Sequence, residues 1–383
     1  MNVVIESLLE SPNMKRIWII TFVLLLPLIA VAQKVCDGGN KCPNDSVFSL
    51  LADFDSVVSM TEHDYAPYKY KVTNKNQKEY VSFKQGIIRD ITTGKRSWRD
   101  AVCAYVGWFG DFHFFVFGDQ NDHYQFNKYQ RKRIDYSPVM EYAPKAVSCQ
   151  VDTHTWLIRF PTCEGSESLT EFVENSIRQY RVSGCPYLII DIRGNGGGQD
   201  ETFEPYLHLL YDTPGWIGDG VVFRNTASNI QRSGWTHEDF LDLFHIDELN
   251  SGEYITRIKD GIPVTYDTIY ARPVKAALII DNCVASSGEQ MVLDIRKASR
   301  RTKIFGRDHT LGCIDTGNCQ YFIFAKHQIG IHYPTTYSTR FDHGTGVDTN
   351  GISPDIHLNL PYPKRLSDNI DEWVLWTAMM LEK

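Results

Sequence analysis

The sequence holds nine cysteines and twelve histidines, yet it has no Cys-x-x-Cys pair and no His-Glu-x-x-His signature. Those are the usual ligand spacings of zinc sites, so no metal ligand set is expected. There is no Gly-x-Gly-x-x-Gly, and no Lys-Ser or Lys-Thr follows the one glycine-rich stretch, which argues against nucleotide binding. There is no basic run, and the net charge of -8 is spread over both signs, which argues against a nucleic-acid partner. Heptads, internal repeats and low-complexity segments are also missing. What is present is an ordinary globular balance, 43% hydrophobic and 22% charged, over 383 residues, enough for one large domain or two smaller ones.

Long apolar runs are scarce too. One spans Ile17 to Val31, behind Met14-Lys15-Arg16 and ahead of Ala30-Val31-Ala32-Gln33. It is shorter than the roughly 20 residues that cross a bilayer. A short positive region, an apolar stretch and small residues at spacing two predict a signal peptide over 14–32, cleaved after Ala32. The chain is therefore expected to be secreted or to lie in the periplasm or cell envelope. It would meet a membrane only through that segment before cleavage. Residues 1–13 do not fit the signal pattern and read as an upstream extension. Export permits disulfides. Cys36 with Cys42, and Cys313 with Cys319, are near enough in sequence to close small loops, and the odd count leaves at least one thiol over.

Residues 33–115 are predicted to form a helical cap domain. Val47, Phe48, Leu50, Leu51, Phe54, Val57 and Val58 recur at helical spacing, as do Trp98, Ala101, Val102 and Tyr105. These stripes read as core packing. From about residue 150 strands and helices alternate. Thr155 to Phe160 is strand-like, and Leu169 to Tyr180 is amphipathic. The runs 187–192 and 276–280 read as buried strands, 203–211 and 290–298 as helices, and 302–306 as a further strand. This predicts a layered α/β core over 116–383, with a polar, aromatic segment at 212–272 as a possible cleft-shaping insertion.

Two segments could carry chemistry. Asp191-Ile192-Arg193-Gly194-Asn195-Gly196-Gly197-Gly198 follows a buried strand, and its glycines allow a sharp turn that aims N–H groups into open space. Such groups can bind an oxyanion; a plain flexible turn is the competing reading. Asp281-Asn282-Cys283-Val284-Ala285-Ser286-Ser287-Gly288-Glu289 lies between a strand and a helix, which puts a serine hydroxyl at a helix N-terminus. The competing reading is a capping box between Ser286 and Glu289. A serine nucleophile needs a base, and His113, His309 and His332 compete on residue grounds alone. Asp348 is a candidate to orient the imidazole. A thiol nucleophile at Cys283 or Cys313 is a further reading.

Together these segments resemble the family that contains the C-terminal processing (tail-specific) proteases and the tricorn-core proteases. Its glycine motif looks like 191–198, and its Ala-Ser-x-x-Glu motif like 285–289. Its Gly-x-x-Thr-x-Gly motif looks like 306–312 run into Cys313, with three residues here between Gly306 and Thr310, and its Gly-Val-x-Pro-Asp motif like Gly351-Ile352-Ser353-Pro354-Asp355. The order is kept over roughly residues 110 to 360. In the tail-specific branch a lysine base follows Thr-x-Gly, where this chain has Cys313, and a PDZ domain precedes the core, for which there is little room. The Ser–His branch has Gly-Asp-x-His, matched here by Gly110-Asp111-Phe112-His113, and a carboxylate three residues before the closing motif. That carboxylate is Asp348 here, where the family usually has Glu.

The resemblance implies a crotonase/ClpP-like α/β core and a serine peptidase needing no cofactor, with a peptide or protein as substrate. Ser286 would be the nucleophile, His113 the base and Asp348 the orienting residue. The N–H groups of Ser287 and of Gly196 or Gly197 would form the oxyanion hole, with Asp111 and Glu289 in support. Retinoid-carrying repeats are similar in their core, so the alternative is a non-catalytic ligand- or peptide-binding protein or an inert scaffold on the same fold.

Overall fold

The structure is a computed structural model that describes residues 47–118, 133–234, 253–257 and 261–383. The signal segment 14–32, the Cys36 and Cys42 pair and part of the 212–272 segment lie outside the described residues.

Four helices come first, α1 (Val47–Asp64), α2 (Tyr68–Lys71), α3 (Gln77–Thr92) and α4 (Trp98–Gly107). Ser97 caps α4 by accepting from the Asp100 N–H. Next are β1 (Phe115–Phe117), β2 (Glu141–Tyr142), β3 (Val147–Gln150), β4 (Thr155–Arg159), α5 (Glu167–Ser183), β5 (Tyr187–Asp191) and α6 (Glu204–Leu210). The middle of the chain supplies β6 (Gly215–Ile217), β7 (Val221–Arg224), α7 (Ala227–Ser233), β8 (Tyr254–Arg257), β9 (Ile262–Val264), β10 (Lys275–Ile280), α8 (Ser287–Ala298) and β11 (Thr302–Gly306). The last elements are β12 (Thr316–Phe324), β13 (Ile329–Ser338), α9 (Arg340–His343), β14 (Ile356–His357), β15 (Arg365–Leu366) and α10 (Glu372–Glu382).

The main sheet runs β14-β11-β10-β5-β4-β3, parallel except where β3 pairs with β4. The continuous apolar runs of β5 and β10 have a direct cause: both faces are covered. Leu188, Ile190, Leu278 and Ile280 pack against Val173 of α5, Leu207 of α6 and Met291 and Ile295 of α8. Ile189, Ala277 and Ile279 point the other way, onto Trp373, Val374 and Ala378 of α10. The mixed α/β architecture agrees with the fold expected from the sequence.

A second, antiparallel sheet runs β1-β13-β7-β8, with β12 also paired to β13. The polar, aromatic segment 212–272 thus supplies β7 and β8 to a sheet. Helices α1, α3 and α4 share a core with this sheet, Phe54, Val57, Ala101, Val102 and Tyr105 packing with Ile329, Ile331 and Tyr333. The helices are therefore joined to β13 through a common interior. Two neighbouring parallel strands, β5 and β10, end side by side, and the loops beyond their C-terminal ends form the crevice where such sheets place their sites.

Candidate active site

The loop after β5 is anchored from below by charge. Asp191 and Asp371 meet Arg159 and Arg193 in a fully buried quartet, with N–O distances of 2.7 Å from Arg193 to each carboxylate and 2.8 Å from Arg159 to Asp191. Burial pushes the Asp191 carboxyl up, but Arg193 and Arg159 outweigh it and hold it below its ordinary range. The Arg193 guanidinium also lies over the Trp373 ring, 5.1 Å from its centre. The charged letters of the glycine motif thus hold the turn in place. Asn195 is fully buried and donates to Phe160 C=O at 3.0 Å, while its Oδ1 accepts the Gly197 N–H at 3.0 Å.

Gly197 has φ +101°, and a Cβ there would fall 2.6 Å from Ser286 Cβ and 3.0 Å from Ser287 N. Only glycine lets the loop approach the serine this closely. Gly196 is exposed with open space around it, whereas the Gly197 N–H is already taken by Asn195. The two loops are stitched by Ala285 N–H to Asn195 C=O at 2.9 Å, and by Asp281, whose Oδ1 accepts from Gly194 N–H and Cys283 N–H.

Ser286 stands at the turn between β10 and α8 with φ 52° and ψ -126°. Positive φ at a non-glycine residue costs on the order of 1–3 kcal/mol and persists where the surroundings enforce it. A serine held on such a strand-to-helix turn has its hydroxyl pushed out over the sheet end. The side chain is half-buried and caps no N–H of the helix. Ser287 opens the helix, so its N–H has no intrahelical partner.

The capping-box reading is corrected. Glu289 does not reach back to Ser286; its buried carboxylate accepts from Thr310 Oγ1, from Gly312 N–H at 2.8 Å and from Cys313 N–H at 2.7 Å. Its donors lie across the cleft, where they hold the 310–313 loop against the serine turn. Burial pushes this carboxyl up to about 7 against the pull of the three donors. Ser286 N–H in turn donates to Cys313 C=O at 3.0 Å.

The Cys313–Cys319 disulfide is corrected as well: both are thiols. Cys313 Sγ turns inward, 3.5 Å from Nδ1 and 3.6 Å from Nε2 of His113. Cys313 therefore touches both proposed partners, the serine through its carbonyl and the histidine through its thiol. Burial pushes this thiol well up, and it also pushes up the Cys283 thiol, which packs with Tyr136, Met140 and Leu366. Both are buried, Cys283 beside Arg133, so neither has the exposed setting of a nucleophilic thiolate.

His113 lies between α4 and β1. Burial lowers its imidazole from the ordinary 6.5, with Asp111 pulling the other way. Among the described residues no hydrogen bond joins Ser286 Oγ to His113; the Cys313 thiol lies against the ring instead. Nδ1 lies 3.2 Å from Thr316 Oγ1, and that hydroxyl donates to Asp111 Oδ1 at 3.1 Å. Asp111 also accepts from the His113 N–H and the Tyr65 hydroxyl, each at 2.8 Å.

Asp348 makes no hydrogen bond to His113. Its Oδ1 accepts from Ile314 N–H and Asp315 N–H, each at 2.8 Å, while Asp315 Oδ2 accepts from the Val347 and Asp348 N–H groups. Burial, Asp315 and Asp111 push the Asp348 carboxyl well up. The two aspartates clamp together the loops that carry Cys313 and Asp348. Of the rival histidines, His309 is exposed beside Asn350 C=O, while His332 stands next to His113, its Nδ1 pairing with His113 C=O at 2.8 Å. Neither Thr316 nor the Cys313 thiol was singled out beside His113, because residues 200 apart in sequence meet here only through the fold.

A strained serine at a helix head, facing a glycine loop on an α/β core, is an arrangement that serine hydrolases use. The family comparison agrees. The model of peptidase family S41 matches residues 155–358, and the chain belongs to that family, whose members are serine-type peptidases acting on peptides or proteins. Mature CPAF is similar in fold, with a TM-score of 0.53 at 12% identity over 82% of this chain and 93% of that one. A candidate peptidase of Parabacteroides merdae has a TM-score of 0.51 at 12% identity, covering 82% and 90%. No curated protein sequence matches the chain significantly.

Proposed function

We propose that the chain is an exported serine peptidase that cleaves through an acyl-enzyme formed on Ser286. The observation that carries this reading is the Ser286 backbone, φ 52° and ψ -126° at the head of α8, with Gly197 pressed against it. Ser286 Oγ attacks the scissile carbonyl, and His113 takes its proton at Nε2 and later returns it to the leaving amine. The Ser287 N–H and the Gly196 N–H receive the developing oxyanion, since the Gly197 N–H is already engaged by Asn195. The Cys313 thiol against the ring must give way for Nε2 to reach the serine. Export rests on the signal-like segment 14–32.

The test is labelling by a fluorophosphonate probe of the chain, of Ser286→Ala and of His113→Ala, with folding followed by circular dichroism. Labelling of the chain and its loss in both variants is the expected outcome. A folded chain that takes no label overturns the peptidase reading. The thiol lying against the ring favours a second reading, a peptide-binding protein without turnover, and Cys313→Ala separates the two. A gain in labelling rate marks the thiol as a movable neighbour; no labelling in either chain marks a binder.

A further inference from the structure

We propose that Thr316 and Asp111 orient the catalytic base, the Thr316 hydroxyl standing between the His113 ring and the Asp111 carboxylate as a relay. The inference deepens the reading above and rests on His113 as the base. A threonine hydroxyl carries one proton. Here it is committed to Asp111 Oδ1 at 3.1 Å, so toward His113 Nδ1, 3.2 Å away, the oxygen can only accept. That fixes the proton on Nδ1 and leaves Nε2 bare, the tautomer a base must have.

Asp111 is itself held by three donors: the Tyr65 hydroxyl on Oδ2, and the His113 N–H and Thr316 hydroxyl on Oδ1. The Asp111 and Thr316 residues are 3% and 2% exposed, so no bulk water competes for these bonds. The groups facing the ring are Asp111, Thr316 and Cys313, with His332 on the carbonyl side. Asp348 is not among them; its Oδ1 accepts from the Ile314 and Asp315 N–H groups instead. Thr316 and Asp111 are thus positioning residues, and Asp348 holds the loop that leads to Thr316.

The test has a readout that activity does not supply. In a Ser286→Ala chain, the His113 ring is titrated by NMR with Thr316 unchanged, Thr316→Val, Thr316→Ser, Asp111→Asn and Asp348→Asn. Thr316→Val and Asp111→Asn are expected to lower the midpoint, Thr316→Ser to restore it, and Asp348→Asn to leave it in place. In Ser286-intact chains, Thr316→Val is expected to slow fluorophosphonate labelling on the order of 100-fold, with Thr316→Ser recovering it. An unchanged midpoint in Thr316→Val, or one moved by Asp348→Asn alone, overturns the relay. If the Thr316 variants do not fold, the nitrogen shifts of His113 in the otherwise unmutated chain decide: a neutral ring protonated on Nε2 overturns it. A chain that takes no label but shows the expected titrations sinks the peptidase reading and leaves the relay standing.

Discussion

At the scale of single residues, the site depends on small groups in enforced positions. Gly197 has φ +101° and touches Ser286, so a methyl group there meets both the serine and the backbone of Ser287. Gly197→Ala is expected to fold with reduced stability and to lose fluorophosphonate labelling at least tenfold, a rate change worth about 1.4 kcal/mol. Glu289 makes a different prediction. Its carboxyl is raised from 4.5 to about 7, so the folded chain binds this proton more tightly than the unfolded chain does. This contribution to stability is largest below 4.5 and is lost as pH rises through 7. Glu289→Gln also turns an amide N–H toward the Gly312 or Cys313 N–H, leaving a buried donor unsatisfied, at about 1–3 kcal/mol. Urea unfolding at pH 8 and pH 5 should therefore show a deficit in Glu289→Gln that is larger at pH 5.

At the scale of elements, the sequence made the strands plain and the contacts between them obscure. The apolar runs at 187–192 and 276–280 became β5 and β10, because a strand covered on both faces has to be apolar throughout. The serine and glycine loops were legible as strand ends rich in glycine and small residues. The helix expected over 290–298 starts three residues earlier, at Ser287, directly behind the Ser286 turn, and its Glu289 binds the opposite loop. The antiparallel sheet was not seen; β7 and β8 are only four residues each and lie in a polar stretch. Asp191 and Arg193 were read only as letters of a motif, while their partners Arg159 and Asp371 come from β4 and the cap of α10. Breaking a buried ion network by removing one charge costs about 3–5 kcal/mol. Asp371→Asn is expected to lose that much in denaturant unfolding, and to disturb the glycine loop that Arg193 anchors.

At the scale of the whole molecule, the proposed base and the proposed nucleophile reach the site from different layers. Ser286 rides on the parallel sheet, whereas His113 enters from the junction of α4 with β1, an edge of the second sheet. The shared interior of α1, α3, α4 and β13 therefore sets where His113 stands. Ile331 is fully buried in it, and Ile331→Ala should cost about 2–5 kcal/mol. If the helices and this sheet act as one unit, that variant lowers labelling of Ser286 along with the melting temperature, though it lies in neither loop of the site. Labelling at the full rate near a lowered melting temperature would mean that the two layers are held together independently of this core.

The central claim is that Ser286 becomes acylated. It is tested most directly by incubating the chain with a chromogenic peptide ester, quenching in acid and mapping the adduct by mass spectrometry. The account predicts an acyl group on the peptide that carries Ser286, absent from Ser286→Ala. Turnover that persists in Ser286→Ala, or an acyl group carried by Cys313 instead, would contradict it.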